Sequence, residues 1–404
     1  MLGAALASGL CSGGVDVLVL GVAPTPTVSY IARTGDFSLG GIVSASHNPA
    51  PDNGIKFVGH DGRKLPDEVE LQIEGFMTDG PTPPTGADVG WLESDRSTIQ
   101  SYLDFLVSIV PERLDGMKIA VDAAHGAAYE LGPKVLRLLG AEVHVEGASP
   151  DGMNINAEGG ATKPETVGEF TKHTRCDVGV AFDGDADRAV FCDENGVLIN
   201  GDRTMGLWAT HRRIAGDLTP AVVVGTVMSN GGFERYLTQQ GIKLERTSVG
   251  DKYVAQRIEQ TGALIGGEQS GHIIFPRRGP TGDGLVTMLE LLRVLKTEGK
   301  KASDYSAAYE PWPQLLVNVS VKEMDGWKDK DGVASALELG EKRLGSDGRV
   351  VVRPSGTQPM IRVMVEAQDA VARDEVAASI VSAMEEELGG KIYSRVDLTH
   401  ALGD

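Results

Sequence analysis

The chain has 404 residues, 41% of them hydrophobic, enough apolar surface for several cores and too much for a globally disordered chain. Its formal net charge of −19 repels nucleic acid and anionic membranes,. With 52 glycines and only 5% aromatic residues, the composition fits an α/β enzyme with many βα loops better than a sandwich or a nucleic-acid reader,. Three cysteines, Cys11, Cys176 and Cys192, show no Cys-x-x-Cys spacing. They argue against a disulfide framework and for a reducing compartment, the cytoplasm.

Residues 1–10 are apolar but lack a basic flank, so they read as a helix and not a signal peptide,. No apolar run is long enough to span a membrane. Strands are expected at 15–20, 41–44 and 55–58, then an exposed Pro-rich loop at 81–86. A second unit opens near Pro111, with strand 118–122, helix 131–139 and strand 141–145. A third opens at 221, with strand 221–225, helix 232–240, strands 244–248 and 263–265, and helix 283–296. Pro311-Trp312-Pro313 marks another boundary. Beyond it, strands at 315–321, 350–352 and 360–365 alternate with helices at 333–344 and 371–388, a smaller α+β unit. The expected domains are 1–110, 111–214, 215–310 and 311–404.

The most informative stretch is Asp183-Gly184-Asp185-Ala186-Asp187-Arg188, which follows the apolar run 178–182. Three carboxylates at alternate positions, with a glycine that lets the backbone turn, converge on one point. Converging carboxylate oxygens suit a hard divalent cation. Arg188 adds a fixed positive charge, and metal plus arginine is what a transferring phosphoryl group needs. An EF-hand also begins with acids at positions 1, 3 and 5, with Glu194 at position 12. However, Arg188 stands where that loop needs glycine, and 189–192 reads as a strand. A solvated acidic turn without metal is the other reading.

Three further motifs carry chemistry. Ser44-Ala45-Ser46-His47-Asn48-Pro49 follows a strand. There Pro49 can open a helix, displaying a serine beside backbone N–H groups that hold an anion. A Ser-His hydrolase is the local rival, but Gly-x-Ser-x-Gly is absent and adjacent Ser and His do not easily pair in a triad. Gly267-Glu268-Gln269-Ser270-Gly271-His272 offers groups suited to sugar hydroxyls, though a polar turn explains it as well. Arg353-Pro354-Ser355-Gly356-Thr357 is a compact anion cradle, with Arg362 as a second fork on the next strand. A surface hairpin is the bland alternative.

The order of these motifs, one per unit, resembles the α-D-phosphohexomutase family. The motifs that carry the resemblance are 44–49 with Asp52-Asn53-Gly54-Ile55-Lys56-Phe57, 183–188 and 353–357. Asn154-Ile155-Asn156-Ala157-Glu158, residues 225–230, Gln269 and Thr281-Gly282-Asp283-Gly284 are similar to its bacterial amino-sugar branch. The resemblance implies three α/β/α domains with mixed sheets and a smaller α+β C-terminal domain around a central cleft. It implies interconversion of the 6- and 1-phosphates of glucosamine, through a phosphoserine and a 1,6-bisphosphate, in amino-sugar and cell-wall precursor synthesis. Ser46 would carry the phosphoryl group after an activating phosphorylation. One Mg²⁺ per chain would bind Asp183, Asp185, Asp187 and an oxygen of that serine. Arg353, Ser355, Gly356, Thr357 and Arg362 would hold the non-reacting phosphate, and Glu268, Ser270 and His272 the sugar. Arg188 would neutralise the transferring group. Lys56 and His47 are the candidates for proton transfer; Lys56 would need a depressed pKa, which Arg188 and the cation favour.

A phosphorylated amino sugar is the expected partner, with no nucleic acid and no membrane, and a homodimer is compatible with the family. The alternatives are a phosphomannomutase or phosphoglucomutase, and an inactive fragment that binds metal and sugar phosphate. Two departures stand out. Gln358 replaces a glutamate usual in the phosphate loop. The family's opening Gly-Thr-Asp-Gly-Ile-Arg-Gly and later Lys-Asp-Thr-Arg segments are not in this chain. A few dozen residues, including an active-site arginine, are therefore expected to be lacking, whether by fragmentation, a misassigned start or a shortened native form.

Overall fold

The computed structural model describes residues 1–402 apart from 79, 81, 323 and 356–358. The first unit runs α1 (Leu2–Ser12), β1 (Val17–Val19), α2 (Thr25–Thr34), β2 (Leu39–Val43), β3 (Ile55–Gly59), α3 (Asp67–Gly75), β4 (Leu92–Ser94) and α4 (Ile99–Ser108). Its strands form two separate pairs, β1 parallel to β4 and β2 antiparallel to β3. Pro26 lies in the first turn of α2, where its missing N–H costs nothing and its fixed φ suits the helix,.

The second unit is β5 (Lys118–Asp122), α5 (Leu131–Leu138), β6 (Glu142–Glu146), α6 (Pro164–Thr174), β7 (Val178–Phe182), β8 (Ala189–Asp193) and β9 (Leu198–Ile199). Its sheet order is β6-β5-β7-β8-β9, with the first three strands parallel and the last two antiparallel. Every residue of β7 and β8 is buried. That explains their unbroken apolar runs, since both faces are covered.

The third unit is α7 (Gly201–Ala215), β10 (Val222–Thr226), α8 (Gly231–Gln239), β11 (Lys243–Thr247), α9 (Asp251–Thr261), β12 (Gly266–Gly267), β13 (Ile273–Ile274), α10 (Gly284–Glu298) and the short α11 (Ser303–Ser306). Its sheet order is β11-β10-β12-β13. The expected strand at 263–265 falls later, at β12, because α9 runs to Thr261 and ends on left-handed Gly262. Residues 263–265 are buried all the same.

The last unit is β14 (Gln314–Ser320), α12 (Asp331–Leu344), β15 (Gly348–Pro354), β16 (Met360–Ala367), α13 (Ala370–Leu388) and β17 (Lys391–Asp397). Its sheet, β15-β16-β14-β17, is antiparallel throughout. Val333 of α12 and Ile380 and Met384 of α13 share a core with Val319, Ile361 and Val363 of the sheet. The fold is thus α/β units followed by a smaller α+β unit. Among the described residues no helix is long and apolar enough to cross a membrane.

Two packing features tie the units together. Tyr102, Leu103 and Leu106 of α4 share one apolar cluster with Leu136 of α5 and Met288 and Leu289 of α10. The last unit is held by a polar clamp. Glu366, fully buried on β16, accepts from Gly231 N at 2.9 Å and pairs with Arg349 Nε at 3.0 Å. Arg349 also donates to the carbonyls of Val227 and Ser229. Glu366→Ala strands the Gly231 N–H and the guanidinium together. It should cost on the order of 3 kcal/mol, read as a lowered calorimetric transition of the C-terminal unit.

Beside this clamp, buried Asp202 accepts from Asn230 N at 2.8 Å. Burial pushes its carboxyl up to about 6, against the Asn230 amide, Ser229 and Arg246, which favour the charged form. The folded pKa lies above the unfolded value of about 3.9. The folded state therefore holds more protons between those values, and this group's contribution to stability falls as pH rises from 4 to 6. Asp202→Asn removes that loss. The melting temperature of the variant minus that of the wild type should increase between pH 4.5 and 7.5.

Candidate active site

The acids sit in the hairpin between β7 and β8, at the carboxyl end of β7, where open α/β sheets place ligands,. Strands on both sides exclude an EF-hand, and Glu194 faces away, accepting from Ser303 Oγ at 2.6 Å. Asp183, Asp185 and Asp187 each offer an oxygen within 4.8 Å of the others. Their residues are 0%, 3% and 9% exposed, so they meet with little water to screen them,.

The first unit supplies the donors. Ser46 Oγ donates to Asp183 Oδ2 at 2.8 Å. Lys56 Nζ, on β3, donates to Asp185 Oδ2 at 3.0 Å, and Thr25 Oγ1, at the start of α2, donates to the same oxygen at 2.9 Å. Burial and the neighbouring charges of Asp187 and Asp185 push the Asp183 carboxyl well above the ordinary range. Against burial, the Lys56 ammonium and the Thr25 and Ser46 hydroxyls hold Asp185 below it. Lys56 differs from the sequence expectation. Burial alone lowers its pKa, but Asp185, Asp187 and Asp183 outweigh this together and the net shift is upward. In the protein by itself the acids hold Lys56 as an ammonium.

Ser46 does not sit at a strand-to-helix turn. Residues 44–54 form a loop joining antiparallel β2 to β3, because the chain turns back through Pro49, Pro51 and Gly54 and never opens a helix. Ser46 is left-handed, with φ +54°, and its N–H donates to Ser44 Oγ at 2.9 Å. His47 follows it on the same loop, half-buried.

The 267–272 turn packs directly on the acidic hairpin. Arg188 and His272 form an antiparallel bridge, and Ala189 N donates to Gly271 O at 3.2 Å. His272 is buried, with Nε2 3.8 Å from Asp187 Oδ2. Ser270 is buried in the turn, and Glu268 is half-buried, accepting from Gly250 N at 3.0 Å. A small pocket lies between these elements, lined by Thr25, Lys56, Asp187, Asp251, His272 and Gly282 among others.

At the far end, Arg353 and Arg362 are direct cross-strand partners on β15 and β16. Burial and the Arg362 charge lower the Arg353 pKa, and Glu268 raises it. Glu268 is therefore within electrostatic reach of the Arg353 guanidinium. Ser355 is buried, its N–H donating to Met360 O at 2.8 Å. Gly356 and Thr357 lie outside the described residues, as does Gln358.

The donor set fits a hard cation. Asp185 Oδ1 and Asp187 Oδ1 are buried without a hydrogen-bond partner. Carboxylate oxygens in that position suit an oxygen-seeking divalent ion. Thr25 is the contributor that sequence reasoning missed. Its only signal was its place between two prolines before a helix.

The chain belongs to the phosphoglucomutase/phosphomannomutase family. Residues 1–82, 100–196 and 200–312 match the family's α/β/α domains I, II and III, and 316–383 match its C-terminal domain. A phosphoglucosamine mutase of Symbiobacterium thermophilum is 44% identical over 391 residues, 96% of this chain and 87% of that protein. A phosphoglucomutase/phosphomannomutase family protein of Burkholderia thailandensis has a solved structure with TM-score 0.80 at 25% identity, covering 97% of this chain and 87% of that one. The Aspergillus fumigatus N-acetylphosphoglucosamine mutase, solved with GlcNAc-6P and magnesium, shares the fold with TM-score 0.66 at 19% identity, over 95% of this chain and 93% of that one.

The hairpin has no spare room at Gly184, where a Cβ would collide with the Ser46 carbonyl oxygen and lie 2.8 Å from Asn156 Nδ2. Gly184→Ala should force the serine loop off the acids at a cost of about 1–3 kcal/mol, seen as a lower melting temperature.

Proposed function

We propose that this protein interconverts glucosamine 6-phosphate and glucosamine 1-phosphate, with Ser46 as the phosphoryl carrier, and so supplies amino-sugar and cell-wall precursor synthesis. The observation that carries this reading is the Ser46 hydroxyl 2.8 Å from Asp183, inside a cluster of three buried acids. The amino-sugar assignment is supported by the 44% identity to a phosphoglucosamine mutase.

In this reading the phosphate–Oγ bond of phospho-Ser46 breaks as a bond forms from phosphorus to the free sugar hydroxyl, giving a 1,6-bisphosphate. The bisphosphate turns over in the cleft, and its other phosphoryl group returns to Ser46. The hydroxyl proton moves to Lys56 or His47. Lys56 accepts it only as a neutral amine, after its own ammonium proton has left to solvent, which Asp185 opposes until its charge is engaged elsewhere. Asp183, Asp185, Asp187 and the serine phosphate would hold one Mg²⁺. When bound, that ion supplies neutralisation of charge on the transferring group. Arg188 adds to that neutralisation. Arg353, Ser355, Gly356, Thr357 and Arg362 hold the distal phosphate, while Glu268, Ser270 and His272 hold the sugar. Reaction inside a cytoplasmic enzyme agrees with the free cysteines at Cys11, Cys176 and Cys192.

Peptide mass spectrometry of active protein should find phosphate on Ser46, and Ser46→Ala should abolish turnover. Asp185→Asn should lower kcat by roughly 100-fold or more and remove the response to added Mg²⁺. kcat/KM should favour glucosamine 6-phosphate over mannose 6-phosphate; the reverse preference would move the protein to a phosphomannomutase reading.

A further inference from the structure

The loop that displays Ser46 is clamped from behind by a side chain of the second unit. Asn156 Nδ2 donates to Ser46 O at 2.9 Å and to Asn48 O at 3.0 Å, the carbonyls on either side of His47. Two carbonyl acceptors fix the amide orientation, since the flipped group would set oxygen against oxygen. Asn156 is itself left-handed, with φ +56°, is 7% exposed, and is anchored by its N–H to Ala124 O at 2.9 Å, just beyond β5. Gly184 lies against both residues, so the acidic hairpin, the serine loop and Asn156 meet at one point.

From this geometry we propose that Asn156 is a positioning residue for phosphoryl transfer, fixing the direction in which Ser46 presents its Oγ; the proposal rests on Ser46 being the phosphoryl carrier. A left-handed serine is a strained conformation that persists only when its surroundings over-determine it. Ser46 has three such restraints. Ser44 Oγ takes its N–H, Asp183 takes its Oγ–H, and Asn156 takes its carbonyl. Phosphorylation abolishes the Oγ–H and therefore the Asp183 restraint. In the phosphorylated enzyme, the contacts with Asn156 and Ser44 still hold the backbone twist that aims the phosphoryl group. Losing the amide lets Ser46 relax toward negative φ and swings Oγ away from the acids. A misplacement of about 1 Å in a reacting group costs roughly 100-fold in rate.

Asn156→Gly is the discriminating variant, because glycine accepts φ +56° and only the amide is lost. Asn156→Asp keeps the shape and the left-handed backbone but sets acceptors against the two carbonyls, so it reads the same contact if the glycine variant folds poorly. Each is purified, phosphorylated on Ser46 and assayed for kcat, KM and single-turnover transfer from phospho-Ser46 to glucosamine 6-phosphate, with melting temperature alongside. The expected result is a kcat and single-turnover rate lowered roughly 10- to 100-fold, a KM within about threefold of wild type, and a nearly unchanged melting temperature for Asn156→Gly. Wild-type rates in both variants, a fall in melting temperature alone, or a loss confined to KM would each overturn the assignment. A wild-type protein that exchanges no phosphate through Ser46 would instead overturn the mutase reading beneath it.

Discussion

Three carboxylates buried within 4.8 Å of one another repel strongly, because little water reaches them to screen the charge,. The β7–β8 hairpin that carries them contributes the Arg188 backbone N–H, 3.2 Å from Asp183 Oδ1. The hydroxyls and the ammonium come from elsewhere in the chain. Ser46, Thr25 and Lys56 reach in from three separate elements of the first unit. Removing the donors of a buried charge cluster leaves an uncompensated charge, which costs more than the pairing itself returns. The first unit is therefore held against the second by the same contacts that assemble the site. Two carboxylate oxygens remain without partners even so.

The opposite imbalance stands at the other end of the cleft. Arg353 and Arg362 are cross-strand neighbours, and burial and the Arg362 charge disfavour the charged form of Arg353, with Glu268 as a partial counterweight. Like charges directly opposite on a sheet are destabilising unless something of opposite sign joins them. The acidic end of the cleft thus suits a cation and the arginine end an anion such as a phosphate.

Much of this was legible in the sequence. The buried β7 and β8 announced themselves as apolar runs around an acid repeat, and the helix–strand alternation of the second and third units follows directly from periodicity. Edge elements were harder. β17 reads Lys-Ile-Tyr-Ser-Arg-Val-Asp and is mostly exposed, so burial imposes no pattern on it. β4 is three exposed residues. The serine loop misled because Pro49 permits a helix start, while the antiparallel pairing of β2 with β3 closes the loop without one. Thr25 and Asn156 carry no role in the sequence reading for another reason, although Asn156 stands in the 154–158 motif. Each acts across more than a hundred residues through one ordinary hydrogen-bonding group, and a motif does not show which distant atom such a group reaches. Against burial, the charge of Asp185, 3.0 Å away, raises the Lys56 pKa in the protein by itself, and sequence spacing does not show that contact.

The second and third units meet backbone to backbone near the acids. Gly284 N donates to Ala186 O and Ala189 N donates to Gly271 O, and a Cβ at Gly271 or Gly284 would collide with carbonyl oxygens of the acidic hairpin. Backbone-to-backbone contacts of this kind leave no side chain that can re-pack, so the second and third units present the acids and the 267–272 turn as one rigid surface. The contact with the last unit is built differently. Arg349, Glu366, Asn230 and Gln314 hold it through side-chain hydrogen bonds to loop carbonyls and amides. Glu366, Asn230 and Gln314 are buried, so each of these contacts is costly to leave unmade,. The backbone contacts suit the chemistry, since phosphoryl transfer demands fixed geometry where the bond changes.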